Sequence, residues 1–73
     1  MDKVNLTPRQ SEVLYMLAKG LTNEEIARQL SITIHTVKAH LCAIFEILKA
    51  RSRIEAVVCG IKLGLINLNE IDL

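Results

Sequence analysis

The sequence predicts an all-α domain, a four-helix bundle that contains a helix-turn-helix. Three observations carry this. Apolar residues recur at i, i+3 and i+4 spacing in successive stretches. A hydroxyl residue suited to cap a helix stands before each stretch: Thr7, Thr22, Thr33 and Ser52. Finally, 73 residues that are 51% hydrophobic can fill one small core and no more than one domain. Residues 1–73 are therefore read as a single domain with an ordered core from about 6 to 65. Aromatics are limited to Tyr15 and Phe45, so Ile, Leu, Val and Ala must fill the interior.

Residues 1–6 read as a loose arm. Thr7-Pro8 opens the first helix, because Thr caps and Pro at the first position needs no N–H partner. Val13, Leu14, Leu17 and Ala18 form its buried stripe to about Lys19, helped by Leu21 beyond the end. Gly20 suits the left-handed residue that closes a helix. Thr22 with Glu25 forms a capping box for a second helix over about 23–30, with Ile26 and Leu30 on one face. Ser31-Ile32 leaves room only for a turn. Thr33 caps a third helix over about 34–48, where Val37, Leu41, Ile44 and Leu48 share a buried stripe. Ser52 with Glu55 reads as another capping box, opening a fourth helix that runs to about Leu63 and closes at Gly64. The tail from 65 to 73 alternates weakly and either packs back or frays.

The fourth helix is apolar almost all round, through Ile54, Ala56, Val57, Val58, Cys59, Ile61 and Leu63. Such a helix needs burial on nearly every side. Gly60 in its middle costs up to about 1 kcal/mol unless another backbone approaches it. Both features are expected from a helix that also pairs with a second copy. Burial as the central helix of a monomer is the alternative.

Net charge is only +1, but its distribution is uneven. Residues 34–53 carry Lys38, Lys49, Arg51 and Arg53 against Glu46, a balance of +3, while residues 54–73 carry −2. A local basic patch is enough to meet a few phosphates. Cys42 and Cys59 lie inside helical patterns, which argues against a disulfide and for a reducing compartment. His35, His40 and Cys42 do not align on one helical face, so neither a metal site nor a nucleophile pair is expected. Nothing suggests a cofactor, a small-molecule ligand or catalysis. No signal peptide is read, and no run reaches the ~18 apolar residues of a membrane span.

The third helix carries the functional signal. Opposite its buried stripe lie His35, Lys38, Ala39, Cys42, Glu46 and Lys49. The N-terminal part of that arc holds small, neutral or basic side chains. This suits a helix entering a DNA major groove to reach base edges.

Taken together the chain resembles the LuxR-type, or GerE-like, helix-turn-helix domain of bacterial quorum-sensing regulators and response regulators. The resemblance rests on Leu6-Thr7-Pro8-Arg9, Glu12-Val13-Leu14, Gly20-Leu21-Thr22-Asn23, Glu25-Ile26-Ala27, Leu30, Ile32, Thr36-Val37-Lys38, His40, Arg51-Ser52-Arg53 and Glu55-Ala56-Val57. It implies a sequence-specific transcriptional regulator, or the DNA-binding domain of one, in the bacterial cytoplasm at the nucleoid. It implies base-facing sites at His35, Lys38, Ala39 and Cys42. Backbone-contacting sites fall at Thr22, Asn23, Thr36, His40 and Arg51. A homodimer through the fourth helix would bind an inverted repeat, with Val57, Val58, Gly60 and Ile61 at the interface. Double-stranded DNA and RNA polymerase are the implied partners.

This sequence departs from the family pattern in three places. Lys49 stands where Gly or Asn is usual, so a left-handed conformation there would be strained. Ala39 and Cys42 are shorter than the polar residues common at their positions, and Ile34 replaces a polar one. Base readout would then lean more on backbone contact and DNA shape. The competing expectation is a protein-interaction module of the same fold that has lost DNA binding and pairs with another regulator.

Overall fold

The computed structural model describes residues 4–67 and 69. Those residues form four helices and no strand: α1 (Pro8–Ala18), α2 (Asn23–Leu30), α3 (Ile34–Leu48) and α4 (Arg53–Lys62). α3 is the hub and packs against each of the other three, while α1 also packs on α4. The expected stripes are the core. Val13, Leu14 and Leu17 from α1 meet Ile26 and Ala27 from α2 and Val37, Leu41, Ile44 and Leu48 from α3. Ala56 of α4 and Ile66 of the following segment complete it. Val4 and Leu6 pack on its edge, so this part of the N-terminal arm is not loose. The expected behaviour of residues 1–3, 68 and 70–73 lies outside the described residues.

Each helix begins on the hydroxyl the sequence marks. The side-chain oxygens of Thr7, Thr22, Thr33 and Ser52 accept from the N–H three residues on. Thr22 and Glu25 close a complete capping box, and so do Thr7 and Gln10. The box expected at Ser52 is only half formed. Ser52 Oγ accepts from Glu55 N at 3.1 Å, but the Glu55 carboxylate accepts from Arg51 N instead, also at 3.1 Å. The carboxylate therefore ties the turn before α4 rather than the cap itself.

The helix ends share one device. In each, a residue with positive φ lets the next N–H reach back to the carbonyl five positions earlier. Leu21 N reaches Met16 O, Ile32 N reaches Ala27 O, Ala50 N reaches Phe45 O and Leu65 N reaches Gly60 O. All four returning residues are apolar and pack against the core, so each closure points the chain back onto the bundle. Gly20 and Gly64 supply the positive φ without strain after α1 and α4. Ser31 and Lys49 supply it after α2 and α3, at φ 56° and 54°. The strain expected at Lys49 is present; the same conformation at Ser31 has no signal in the residue type.

α4 differs from its expected setting. Only Ala56 and Gly60 of this helix are buried, and Ile54 is 77% exposed and Val58 42%. Gly60 does not lie on an outer face. A Cβ there would stand 2.7 Å from Ile66 Cδ1 and 3.1 Å from Leu14 Cδ2. Its missing side chain makes room for Ile66 and Leu14 of the same chain, which accounts for a glycine there without the approach of a second copy. The outward face at i, i+3, i+4 and i+7 is Ile54, Val57, Val58 and Ile61, with Val57 and Ile61 half-buried.

Candidate nucleic-acid interface

α2 and α3 meet at 108°, within the range of a helix-turn-helix. The tight closure at Ser31 and Ile32 sets this angle. With α2 packed across it, α3 keeps one long side open to solvent. His35, Lys38, Ala39, Cys42, Glu46 and Lys49 are all exposed along that side. The two acid-free turns at its N-terminal end present His35, Lys38, Ala39 and Cys42, with Ile34 exposed beside them.

The flanking residues are less open. Thr36 and His40 are half-buried on the shoulder of α3. The Thr36 hydroxyl lies 3.0 Å from that of Thr33, and Thr36 N donates to Thr33 Oγ1 at 3.1 Å. Thr36 therefore serves the helix cap first. At the start of α2, Thr22 is also committed. Its N–H donates to Glu25 Oε1 at 2.9 Å and its hydroxyl oxygen accepts from Glu25 N at 3.1 Å. The Thr22 N–H and hydroxyl oxygen are thus both used within the capping box. Hydrogen bonds from Thr22, backbone N–H first and hydroxyl second, hold the Glu25 carboxyl below the usual carboxylate range, with a smaller push from Arg28.

Asn23, Lys38 and Cys42 come together around one shallow groove, whose remaining wall is Leu41, Phe45 and Arg53. Arg53 is the residue sequence reasoning did not single out. Its Nη1 donates to Asn23 Oδ1 at 2.8 Å and its Nη2 to the Leu21 carbonyl at 3.2 Å. Arg51 is exposed in the turn before α4 and does not line that groove. Lys38, Lys49, Arg51 and Arg53 are all exposed, and Lys38 and Arg53 share the groove. Among the described residues no His, Cys, Asp and Glu side chains gather as a metal site, and both cysteines are free. Among the described residues no single helix is long and apolar enough to cross a membrane.

The profile of bacterial regulatory proteins of the luxR family matches residues 4–59, from the arm before α1 into α4. The chain belongs to this family. It is 46% identical over 57 residues to the nitrate/nitrite response regulator NarL of Escherichia coli, covering 78% of this chain and 26% of NarL. It is 43% identical over 61 residues to the response regulator VraR of Staphylococcus aureus, covering 84% of this chain and 29% of VraR. The chain thus spans under a third of these relatives. Among solved structures it is similar to Vibrio cholerae VqmA, a LuxR-type receptor with a target DNA and a dimeric form. The superposition has a TM-score of 0.80 at 31% identity, over 85% of this chain and 27% of VqmA. The luxR-family fold is therefore established for this chain by sequence and by structure.

Proposed function

We propose that this domain is a sequence-specific DNA-binding module of a transcriptional regulator, with α3 as the helix that enters the major groove. One observation carries the reading: the exposed, acid-free arc of His35, Lys38, Ala39 and Cys42 on a helix held at 108° to its neighbour. A helix about 10–12 Å across fits a major groove about 12 Å wide. Lys38 has the reach and charge for guanine O6 and N7 or a phosphate, and Ala39 can touch a thymine methyl. Asn23, Thr36, His40 and Arg51, with Thr22 behind them, line up as backbone contacts that fix register.

The outward face of α4 gives the second half of the proposal. Ile54, Val57, Val58 and Ile61 form an apolar stripe on a helix whose inward face is already satisfied by Ala56 and Gly60. A second copy packed there by two-fold symmetry would present two α3 helices to successive major grooves. The operator is then an inverted repeat with half-sites about one helical turn apart. One helix pair buries less than the ~1,200 Å² of a stable interface, so DNA supplies the second anchor and binding is cooperative. The setting is the bacterial nucleoid, with RNA polymerase the further partner that regulating transcription requires.

Selection from a random duplex library tests the reading. Enrichment of an inverted repeat is expected, with log affinity falling linearly against log salt as phosphates displace counterions. No enrichment together with a flat salt response would overturn it and favour the protein-interaction module.

A further inference from the structure

Arg53 occupies a junction. It is the first residue of α4, immediately before Ile54 opens the apolar outer face. Yet its guanidinium reaches across the bundle to the start of α2, bonding Asn23 Oδ1 and the Leu21 carbonyl, 30 and 32 positions earlier in the chain. Guanidinium has only donors, so it fixes which end of the Asn23 amide it meets. With Oδ1 held by Arg53, the amide NH2 is turned to other partners. That is the end a phosphate, which only accepts, can use. Released, the amide could present its oxygen there and repel the phosphate. Charge points the same way. Glu24 and Glu25 crowd the first turn of α2, and Arg53, with Arg28 and Lys38, brings positive charge beside that turn.

We infer that Arg53 is a positioning residue for DNA binding: its guanidinium fork orients Asn23 toward the phosphate backbone and ties that contact to the first turn of the dimer helix. Lysine cannot replace it, because one ammonium lacks the planar fork that spans two separated acceptors. The inference rests on the DNA-binding reading above.

The test is a double-mutant cycle on affinity for mixed-sequence duplex DNA at fixed salt, with helix content followed by circular dichroism. The variants are Arg53→Ala, Asn23→Ala, their combination and Arg53→Lys. Each single alanine variant should weaken binding, and the double should be no weaker than the worse single, a coupling of about threefold or more. Arg53→Lys should lose affinity alongside Arg53→Ala while keeping wild-type helix content. Additive losses would overturn the inference. So would wild-type affinity in Arg53→Lys, which would leave Arg53 a charge and nothing more. Loss of helix in Arg53→Lys would overturn it too, making Arg53 a folding residue. If the wild-type chain shows no salt-dependent binding, the DNA-binding reading itself fails; additivity with wild-type binding intact fails only the role of Arg53.

Discussion

α3 and α4 both show one face to the core and one to solvent, but the solvent faces are chemically opposite. On α3 the outer arc holds His35, Lys38, Ala39 and Cys42, then Glu46 and Lys49. On α4 it holds Ile54, Val57, Val58 and Ile61. The inner faces differ as well. α3 buries Val37, Leu41, Ile44 and Leu48, whereas α4 buries only Ala56 and Gly60. α3, which turns four large side chains inward and leaves Ile34 and Ile47 as its exposed large apolar residues, is largely finished by its own domain. α4, which turns small residues inward and large apolar ones outward, has spent little of its apolar surface on its own fold. The first offers a polar partner a groove-sized ridge, and the second offers an apolar partner a stripe.

The largest expected effect tests the inward side of α4. Gly60→Val should destabilise the domain by about 1–3 kcal/mol in denaturant unfolding, because Ile66 and Leu14 fill the space its branched side chain needs. Wild-type stability would mean that Gly60 faces outward after all. The matching change on the outer face is Val58→Asp. It should leave the helical signal intact, since the site is 42% exposed. Affinity for an inverted repeat should fall by at least about 1 kcal/mol, because an unpaired charge would enter an apolar contact. Unchanged affinity and stoichiometry would remove the α4 dimer.

How much of this contrast could be read from the sequence depends on distance along the chain. The buried stripe of α3 was legible because a period of 3.6 sorts Val37, Leu41, Ile44 and Leu48 from their neighbours without tertiary information. Caps were legible for the same reason, being settled within three residues. α4 was harder. On a helix apolar almost all round, Ile54, Val57, Val58 and Ile61 compete with Ala56 and Gly60 for the inward face, and the larger residues are the natural choice for the core. A mid-helix glycine suggests close approach, but only the folded chain shows that the neighbour Gly60 accommodates is Ile66, six positions on. Arg53 was passed over because its partners lie 30 and 32 positions away. Arg51, beside it, is expected at a backbone contact from the family resemblance, while Arg53 enters only through the charge balance and the matched motif.

Smaller effects sharpen the picture around α3. Lys49→Gly should stabilise the domain by a few tenths to about 1 kcal/mol, because glycine takes φ 54° without a Cβ clash. A lower melting temperature would show that the Lys49 side chain contributes more than its backbone costs. Smallest is a pH effect at the start of α2. The Glu25 carboxyl titrates below its usual range when folded, so its contribution is present above the unfolded value and is lost as pH falls through the folded one. Hydrogen exchange of the first-turn amides of α2 should therefore quicken on acidification below the ordinary carboxylate range. Glu25→Gln keeps a capping side chain but cannot titrate, and should flatten that response. Equal pH profiles in the two proteins would assign the cap no electrostatic part.

The most direct test of the account is Lys38→Ala, assayed against the selected duplex at fixed salt with circular dichroism in parallel. Lys38 is exposed at the centre of the acid-free arc and supports no part of the core. The expected result is a loss of at least about 1 kcal/mol in binding with the helical signal unchanged. Undiminished affinity with an intact fold would contradict the claim that the outer face of α3 is the surface that meets DNA.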